Sequence, residues 1–223
     1  ENNFFKKSKK IILPNMVNLK RIKFSSNSQN KRSFDILYAG GLRKMKGGLT
    51  LIKAFNEIDN PNIMLHIFGD GEDELVFKEL AKEEKRIIFH GKLKNIDLQK
   101  FYKKVDISIV PSECYENFPT VILESNMAGV PVIGSKIGGI PEMIKENYNG
   151  FIFEMGNKEE LKQKIIYCIK NRSKLKKMKI NCINITKNYN KDNILPKLER
   201  IYGGVRVIWN MLLCTYGDYY IFY

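Results

Sequence analysis

The chain has 223 residues, and at roughly 100–200 residues per domain this allows one full domain with part of a second. Hydrophobic residues make up 43% and charged residues 28%, which argues against a disordered, collagen-like or membrane-spanning chain. Lysine and arginine number 38 against 24 acidic residues, and the net charge of +14 favours partners that carry phosphate or other anionic groups. A solvated basic face with no binding purpose is the alternative, because lysine, asparagine and isoleucine are abundant along the chain.

The cysteine pattern favours a reducing compartment. The 4 cysteines form no C-x-x-C pair and the 2 histidines are not clustered with them, so we expect neither a zinc site nor a disulfide framework. No apolar run reaches the roughly 18 residues that a membrane-spanning helix needs. We therefore expect a cytoplasmic protein, either free or peripheral to the inner face of the membrane. Because the chain starts at Glu1 rather than Met, we expect it to be part of a longer protein.

Short apolar runs alternate with amphipathic runs along most of the chain. Residues 1–33 come first and are predicted to be a linker that leads into the domain, with one apolar stretch at Ile11 to Leu13. Six later runs have the composition of strands: SFDILYAG, IMLHIFG, RIIFHG, DISIVPS, VPVIGS and GFIF. The runs that follow them have helical character: LTLIKAFNEI, EDELVFKELAKEEK, IDLQKFYKKV, TVILESNMAG, IPEMIKE and KEELKQKIIYCIK.

This alternation predicts an α/β fold with a Rossmann-like, doubly wound parallel sheet of about six strands over residues 34–202. The strand runs are nearly all apolar, as expected of strands that are covered on both faces. Right-handed crossovers place every strand-to-helix loop at one edge of the sheet, which is where such folds bind ligands.

Two further helical stretches follow, SKLKKMKINCINI and DNILPKLERIY, before Gly203-Gly204 interrupts the pattern. Residues 203–223 differ in character from everything before them. Three origins stay open for this tail: it packs on the sheet, belongs to a neighbouring domain, or is foreign sequence.

Three of the loops at the ligand edge carry only weak signals. In the first, AGGLRKMKGG, Lys46 precedes a helix start whose N–H groups attract phosphate, although a plain basic turn has the same composition. The second, FGDGEDE, has a lone G-x-G and is interpreted as an ordinary tight turn. The fourth, GSKIGGIPEMI, allows close backbone approach at Gly138-Gly139, but it also fits plain helix capping.

The third loop, VPSECYENFPTVILESNMAG, is the informative one. It places Glu116 in the loop and Glu124 inside the following helix, eight positions later. Thr120 and Glu124 share a helix face near the ligand edge, among apolar neighbours. A buried carboxylate without partners costs several kcal/mol, and two hydroxyls such as those of a ribose would satisfy it. A salt bridge or a helix-start charge is the alternative for Glu124, and a solvated loop acid is the alternative for Glu116.

Five segments, taken in chain order, resemble a known family: YAGGLRKMKGGLTLIKAF, IFGDGEDELVFKELA, IIFHGKL, the run from ISIVPSECYENFP to IGGIPEMI, and NGFIFE. The likeness is to the C-terminal, donor-binding half of the retaining nucleotide-sugar glycosyltransferases with the GT-B fold, of the group 1 type. It covers about residues 11–202, and the stretch from Pro111 to Glu142 is the most specific part.

The resemblance implies roles for individual residues. Glu116 would meet the hydroxyls of the donor sugar, and Lys46 would neutralise the diphosphate leaving group; these two are the candidate catalytic residues. Glu124 would bind the ribose hydroxyls. Further donor contacts are expected from residues in three loops: Asn117, Phe118, Pro119 and Thr120 for sugar and phosphates, Lys92 and Leu93 for the base, and Gly41 and Arg43 near the leaving group. The family commonly has an arginine where this chain has Gly41, so Arg43 or Lys44 would have to reach in.

The resemblance also implies partners. The donor would be a nucleotide diphosphate sugar, with UDP-sugar favoured, and neither a metal nor a cofactor is expected. The acceptor site would lie in an N-terminal domain that this chain does not contain. An anionic membrane surface is a further expected partner, whereas nucleic acid is not, since no nucleic-acid motif is present. Two alternatives stay open: an isolated nucleotide-sugar binding lobe without turnover, and an epimerase or phosphorylase on the same scaffold.

Overall fold

The computed structural model describes residues 16–17, 33–92, 101–201, 214–216 and 219–221. The chain divides into two compact units, one of Lys20–Thr186 and one of Glu1–Leu19 together with Lys187–Tyr223. The first unit holds the six-stranded sheet and the candidate site. The predicted bounds of the donor domain, 34–202, and of its flanking segments stay a prediction.

The first unit is built on a parallel sheet of six strands. The strands are β2 (Phe34–Ala39), β3 (Ile63–Phe68), β4 (Ile87–Gly91), β5 (Ile107–Val110), β6 (Val132–Ser135) and β7 (Gly150–Phe153). They lie in the order β4-β3-β2-β5-β6-β7, and every neighbouring pair is parallel. All six predicted strands are confirmed, as is the α/β class with a Rossmann-like sheet.

The strands form because their sequences are apolar on both faces. All four residues of β5 and all four of β6 are buried, and these two strands lie in the interior of the sheet. Side chains on both faces of such a strand are removed from water, which stabilises the sheet at about 25 cal/mol per Å² of apolar surface. The order of the sheet places β2 beside β5, so the loops after these two strands meet at the same edge.

Helices cover the sheet and follow the strands in turn. They are α1 (Gly48–Asn56), α2 (Glu74–Ala81), α3 (Thr120–Met127), α4 (Ile140–Met143), α5 (Lys158–Lys170) and α6 (Arg172–Thr186). The predicted helix at 140–146 is shorter than expected, because Ile144 is extended at φ −116° and ψ 117° and is buried. The predicted helix IDLQKFYKKV spans residues 96–105, of which 96–100 lie outside the described residues; Phe101 and Tyr102 are helical.

The second unit contains a small antiparallel sheet and a helix. Strand β1 (Met16–Val17) pairs with β9 (Tyr219–Ile221), which also pairs with β8 (Cys214–Tyr216). A 3₁₀ turn at Lys187–Tyr189 leads into α7 (Lys191–Ile201), whose Ile194 and Leu198 are buried. The apolar stretch that was predicted at Ile11 to Leu13 lies outside the described residues, as does most of the tail 203–223.

Candidate functional site

A cavity of about 290 Å³ opens at the carboxyl ends of β2 and β5, within the first unit. Ligand pockets in α/β folds occur at this edge, where the strand order changes direction. The described residues that line it come from the ends of the two strands, the loops after them and the start of α3: Tyr38, Ala39, Gly40, Gly41, Lys46, Ile109, Val110, Pro111, Ser112, Glu116, Phe118, Pro119, Thr120 and Val121.

The loop after β2 carries Lys46 to the cavity. A 3₁₀ turn at Lys44–Lys46 ends at Gly47, which has φ +69° and precedes α1. A Cβ at Gly47 would lie 1.8 Å from the carbonyl oxygen of Pro111, so only glycine allows this close approach between the two loops. The contact places the first loop directly against the loop after β5.

Lys46 and Glu116 are direct partners in this site. The Lys46 Nζ lies 2.5 Å from Glu116 Oε1, and the two side chains are 33% and 17% exposed. The hydroxyl of Ser112 donates to the same oxygen at 2.7 Å. Sequence reasoning placed both candidate catalytic residues at one edge of the sheet but missed this pair, because its members are 70 positions apart in the chain.

The loop after β6 packs against the backbone of Glu116 and bonds to it. The Gly139 N–H donates to the Glu116 carbonyl at 2.7 Å. A Cβ at Gly138 would lie 2.4 Å from that carbonyl, and one at Gly139 would lie 2.1 Å from the carbonyl of Asn117. The glycines that sequence reasoning left undecided therefore let two loops pack backbone against backbone and fix the position of Glu116.

Helix α3 points its N-terminus at the cavity. It begins at Thr120 after Pro119, and no side-chain hydrogen bond caps it in the described structure. Its first turn contains no acidic residue, and Thr120 and Val121 line the cavity. Free N–H groups and the positive end of the helix dipole make such a terminus a binding place for an anion. Of the residues predicted to offer amides here, Phe118, Pro119 and Thr120 line the cavity, and Asn117 precedes them as an exposed residue.

Glu124 lies one turn further along α3 and is half-buried. The phenol of Tyr102, which is fully buried, donates to Glu124 Oε2 at 3.2 Å. Burial, and then the charge of Glu124, raise the pKa of Tyr102 well above its ordinary value, so the phenol stays a donor. Sequence reasoning missed this partner. Glu124 is not among the described residues that line the cavity, and its predicted ribose role stays a prediction.

Tyr38, at the end of β2, holds the first loop through a hydrogen bond to its backbone. Its phenol donates to the Gly41 carbonyl at 2.9 Å, and both residues line the cavity. Burial, and then the nearby charge of Glu116, raise the pKa of Tyr38, so this hydroxyl also stays protonated. Position 41, where the family commonly has an arginine, therefore presents only backbone to the cavity.

The remaining predicted residues lie at the margin of the site. Arg43 Nε lies 3.7 Å from Glu72 Oε1, with the two side chains 57% and 71% exposed, and Arg43 is not among the described lining residues. Lys92 is exposed and its Nζ lies 3.6 Å from Asp70 Oδ2. Leu93 lies outside the described residues. The roles predicted for these three residues therefore stay predictions.

Within residues 33–92 and 101–201, no group of three His, Cys, Asp or Glu side chains could hold a metal. None of the helices in the described ranges is long and apolar enough to span a bilayer.

The fold is that of one half of a GT-B protein, and comparison with known proteins gives the family. The structure is similar to the C-terminal domain of a group 1 glycosyltransferase (LpcC) from Francisella tularensis, with a TM-score of 0.70 at 24% identity, over 78% of this chain and 99% of that one. A family model described as Glycosyl transferases group 1 matches residues 20–184. The chain belongs to this family of glycosyltransferases.

Two relatives indicate what kinds of protein are similar. The N-acetyl-alpha-D-glucosaminyl L-malate synthase of Bacillus anthracis is 27% identical over 175 residues, which are 76% of this chain and 45% of that enzyme. HepE of Anabaena, solved in complex with UDP-glucose, has a TM-score of 0.70 at 25% identity, over 78% of this chain and 49% of that one. The chain thus spans about half the length of these relatives.

Proposed function

We propose that this chain is the donor-binding half of a glycosyltransferase that moves a sugar from a nucleotide diphosphate to an acceptor hydroxyl with retention at the anomeric carbon. The observation that carries the proposal is the convergence of Lys46, Glu116 and the N-terminus of α3 on one cavity at the carboxyl edge of the sheet. A cation and a helix start suit a diphosphate, and a carboxylate beside them suits sugar hydroxyls.

The role of each group follows from the negative charge that develops on the leaving group during transfer. When the bond between the anomeric carbon and the diphosphate breaks, negative charge grows on the leaving oxygen. Lys46 and the amides of Thr120 and Val121 are placed to stabilise that charge, and groups fixed in advance around a developing charge can contribute several kcal/mol. We propose that these groups serve in place of a metal. Glu116 would then orient the donor sugar, and its carboxylate is held by hydrogen bonds from Lys46 and Ser112.

UDP is the proposed nucleotide part of the donor. HepE, a similar protein, was solved with UDP-glucose, and the family likeness favours uridine. Glu124 is proposed to hold the ribose. The acceptor and the remaining part of the cleft would be supplied by a preceding domain, as the half-length match to the relatives suggests.

A thermal-shift panel tests the nucleotide assignment. A ligand that binds only the folded state must raise the melting temperature, by an amount set by its concentration relative to its dissociation constant. We expect UDP and UDP-sugars to raise it and uridine to have little effect. A panel in which no nucleoside diphosphate raises it would overturn the proposal.

Calorimetry on Glu124→Ala tests the ribose role. Loss of a charged acceptor for two hydroxyls should weaken UDP binding about tenfold or more. Because this change also leaves the Tyr102 phenol without its acceptor, Tyr102→Phe is the control, and it should retain UDP binding. Unchanged affinity in Glu124→Ala would show that Glu124 serves Tyr102 rather than a ribose.

A further inference from the structure

Two donors hold the same oxygen of Glu116. Lys46 Nζ lies 2.5 Å from Oε1, and Ser112 Oγ lies 2.7 Å from it. Among the described residues, no donor reaches the other oxygen, Oε2. One oxygen of the carboxylate is therefore anchored by the protein, and the other is available to a ligand in the cavity.

The two donors differ in how firmly they are fixed. Lys46 is a long side chain, one-third exposed, on a loop that lines the cavity. Ser112 is 2% exposed, and its position is set from the core of the sheet. The hydroxyl of Ser135, fully buried at the end of β6, donates to the Ser112 carbonyl at 2.6 Å. A chain of two serines thus connects the interior of the sheet to the carboxylate of Glu116.

Lys46 has two competing partners, the diphosphate of the donor and the carboxylate of Glu116. In the proposed function this lysine must approach the diphosphate, yet its ammonium group also donates a hydrogen bond to Glu116. A carboxylate held by Lys46 alone would lose its orientation when the lysine turned to phosphate. Ser112 has no such second task, since its hydroxyl donates to Glu116 and its carbonyl is occupied by Ser135.

We propose that Ser112 is a positioning residue that keeps Glu116 in place while Lys46 moves to the diphosphate, so that Oε2 stays available to the donor sugar. Ser135 supports this role by fixing the backbone of Ser112. The inference rests on the proposed function, because it assigns the free oxygen of Glu116 to a sugar hydroxyl.

The test isolates the contribution of the sugar to binding. Calorimetry gives the dissociation constants of UDP and UDP-glucose. The dissociation constant of UDP divided by that of UDP-glucose is the ratio that reports contacts made by the sugar. In Ser112→Ala we expect this ratio to fall about three- to tenfold toward the value in Glu116→Ala, because Glu116 loses one of the two donors that orient it. UDP affinity should change less than twofold. Ser112→Thr restores a hydroxyl and should restore the ratio.

Ser108→Ala is the matched control for loss of a buried hydroxyl. Ser108 lies on β5, the strand that precedes the loop with Ser112. It is fully buried, and its Oγ has no hydrogen-bond partner among the described residues. Its loss should leave both dissociation constants unchanged. A merely structural role for Ser112 predicts that Ser112→Ala lowers the melting temperature without altering the ratio.

The outcomes separate this inference from the proposed function. If Glu116→Ala lowers the ratio and Ser112→Ala does not, Ser112 is not a positioning residue and the proposed function stands. If neither variant changes the ratio, Glu116 does not contact the sugar, so this inference fails together with the sugar role proposed for Glu116, and the diphosphate role of Lys46 is not affected. A wild-type chain that binds UDP-glucose no more tightly than UDP leads to the same conclusion.

Discussion

Replacing Gly47 by alanine should damage both the stability and the diphosphate site. The backbone at Gly47 has φ +69°, which costs a residue with a side chain about 1–2 kcal/mol. The added Cβ would lie 1.8 Å from the Pro111 carbonyl oxygen, and it must withdraw to at least 3.0 Å. Crowding of that kind costs about 1–3 kcal/mol more. We therefore expect a total loss of about 2–5 kcal/mol in the free energy of unfolding.

Gly156→Ala separates the two contributions. Gly156 has φ +71°, and a Cβ there would meet nothing within 4 Å, so this variant should lose only the backbone part. Urea unfolding measures the difference between the variants. Because Lys46 precedes Gly47 directly, a shift of about 1 Å in this loop should also weaken UDP binding in calorimetry, and Gly156→Ala should not. Equal stability losses in the two variants would refute the close contact with Pro111.

Two further predictions concern stability. Ser108→Ala removes a buried hydroxyl that has no partner among the described residues, so urea unfolding should show stability unchanged or raised by about 1 kcal/mol; a loss above 1 kcal/mol would mean that the hydroxyl is satisfied. Hydrogen bonds from Arg86 hold the pKa of Glu84 below its ordinary value of 4.5, so the stability from this pair is present above pH 4.5 and lost as the pH falls through the lowered value. Glu84→Gln should therefore be less stable than the wild type at pH 7 and approach it in acid, and a pH-independent difference would contradict the assignment.

The sheet could be predicted from sequence because its signals are local. Each strand is a short apolar run bounded by glycine, proline or polar residues. Helix α5 has the bounds that its sequence indicates, since the Asn157 side chain accepts from the Glu160 N–H at its start. Helix α4 ended early because Ile144 is buried under Gly134, where a Cβ would lie 2.5 Å from its Cδ1, and this packing is not visible in a local pattern.

The location of the candidate site could be predicted from the sequence, but the contacts between its residues could not. Parallel topology alone brings the loops that carry Lys46 and Glu116 to one edge. Their pairing, the Tyr102 bond to Glu124 and the contact of Gly139 with Glu116 join segments that are far apart in the chain. Such contacts depend on the exact course of each loop. Arg43 is a further case, since its Nε lies 3.7 Å from Glu72 Oε1, a contact that the local sequence does not indicate, and its predicted role near the leaving group stays a prediction.

The central claim is that Lys46 and the start of α3 bind a diphosphate. Calorimetry with UDP and UMP, on the wild type and on Lys46→Ala, tests it most directly, because only UDP carries the second phosphate. We expect the wild type to bind UDP about tenfold or more tightly than UMP, and Lys46→Ala to lose most of that difference while it retains its UMP affinity. A wild type that binds the two equally, or a difference that survives in Lys46→Ala, would contradict the claim.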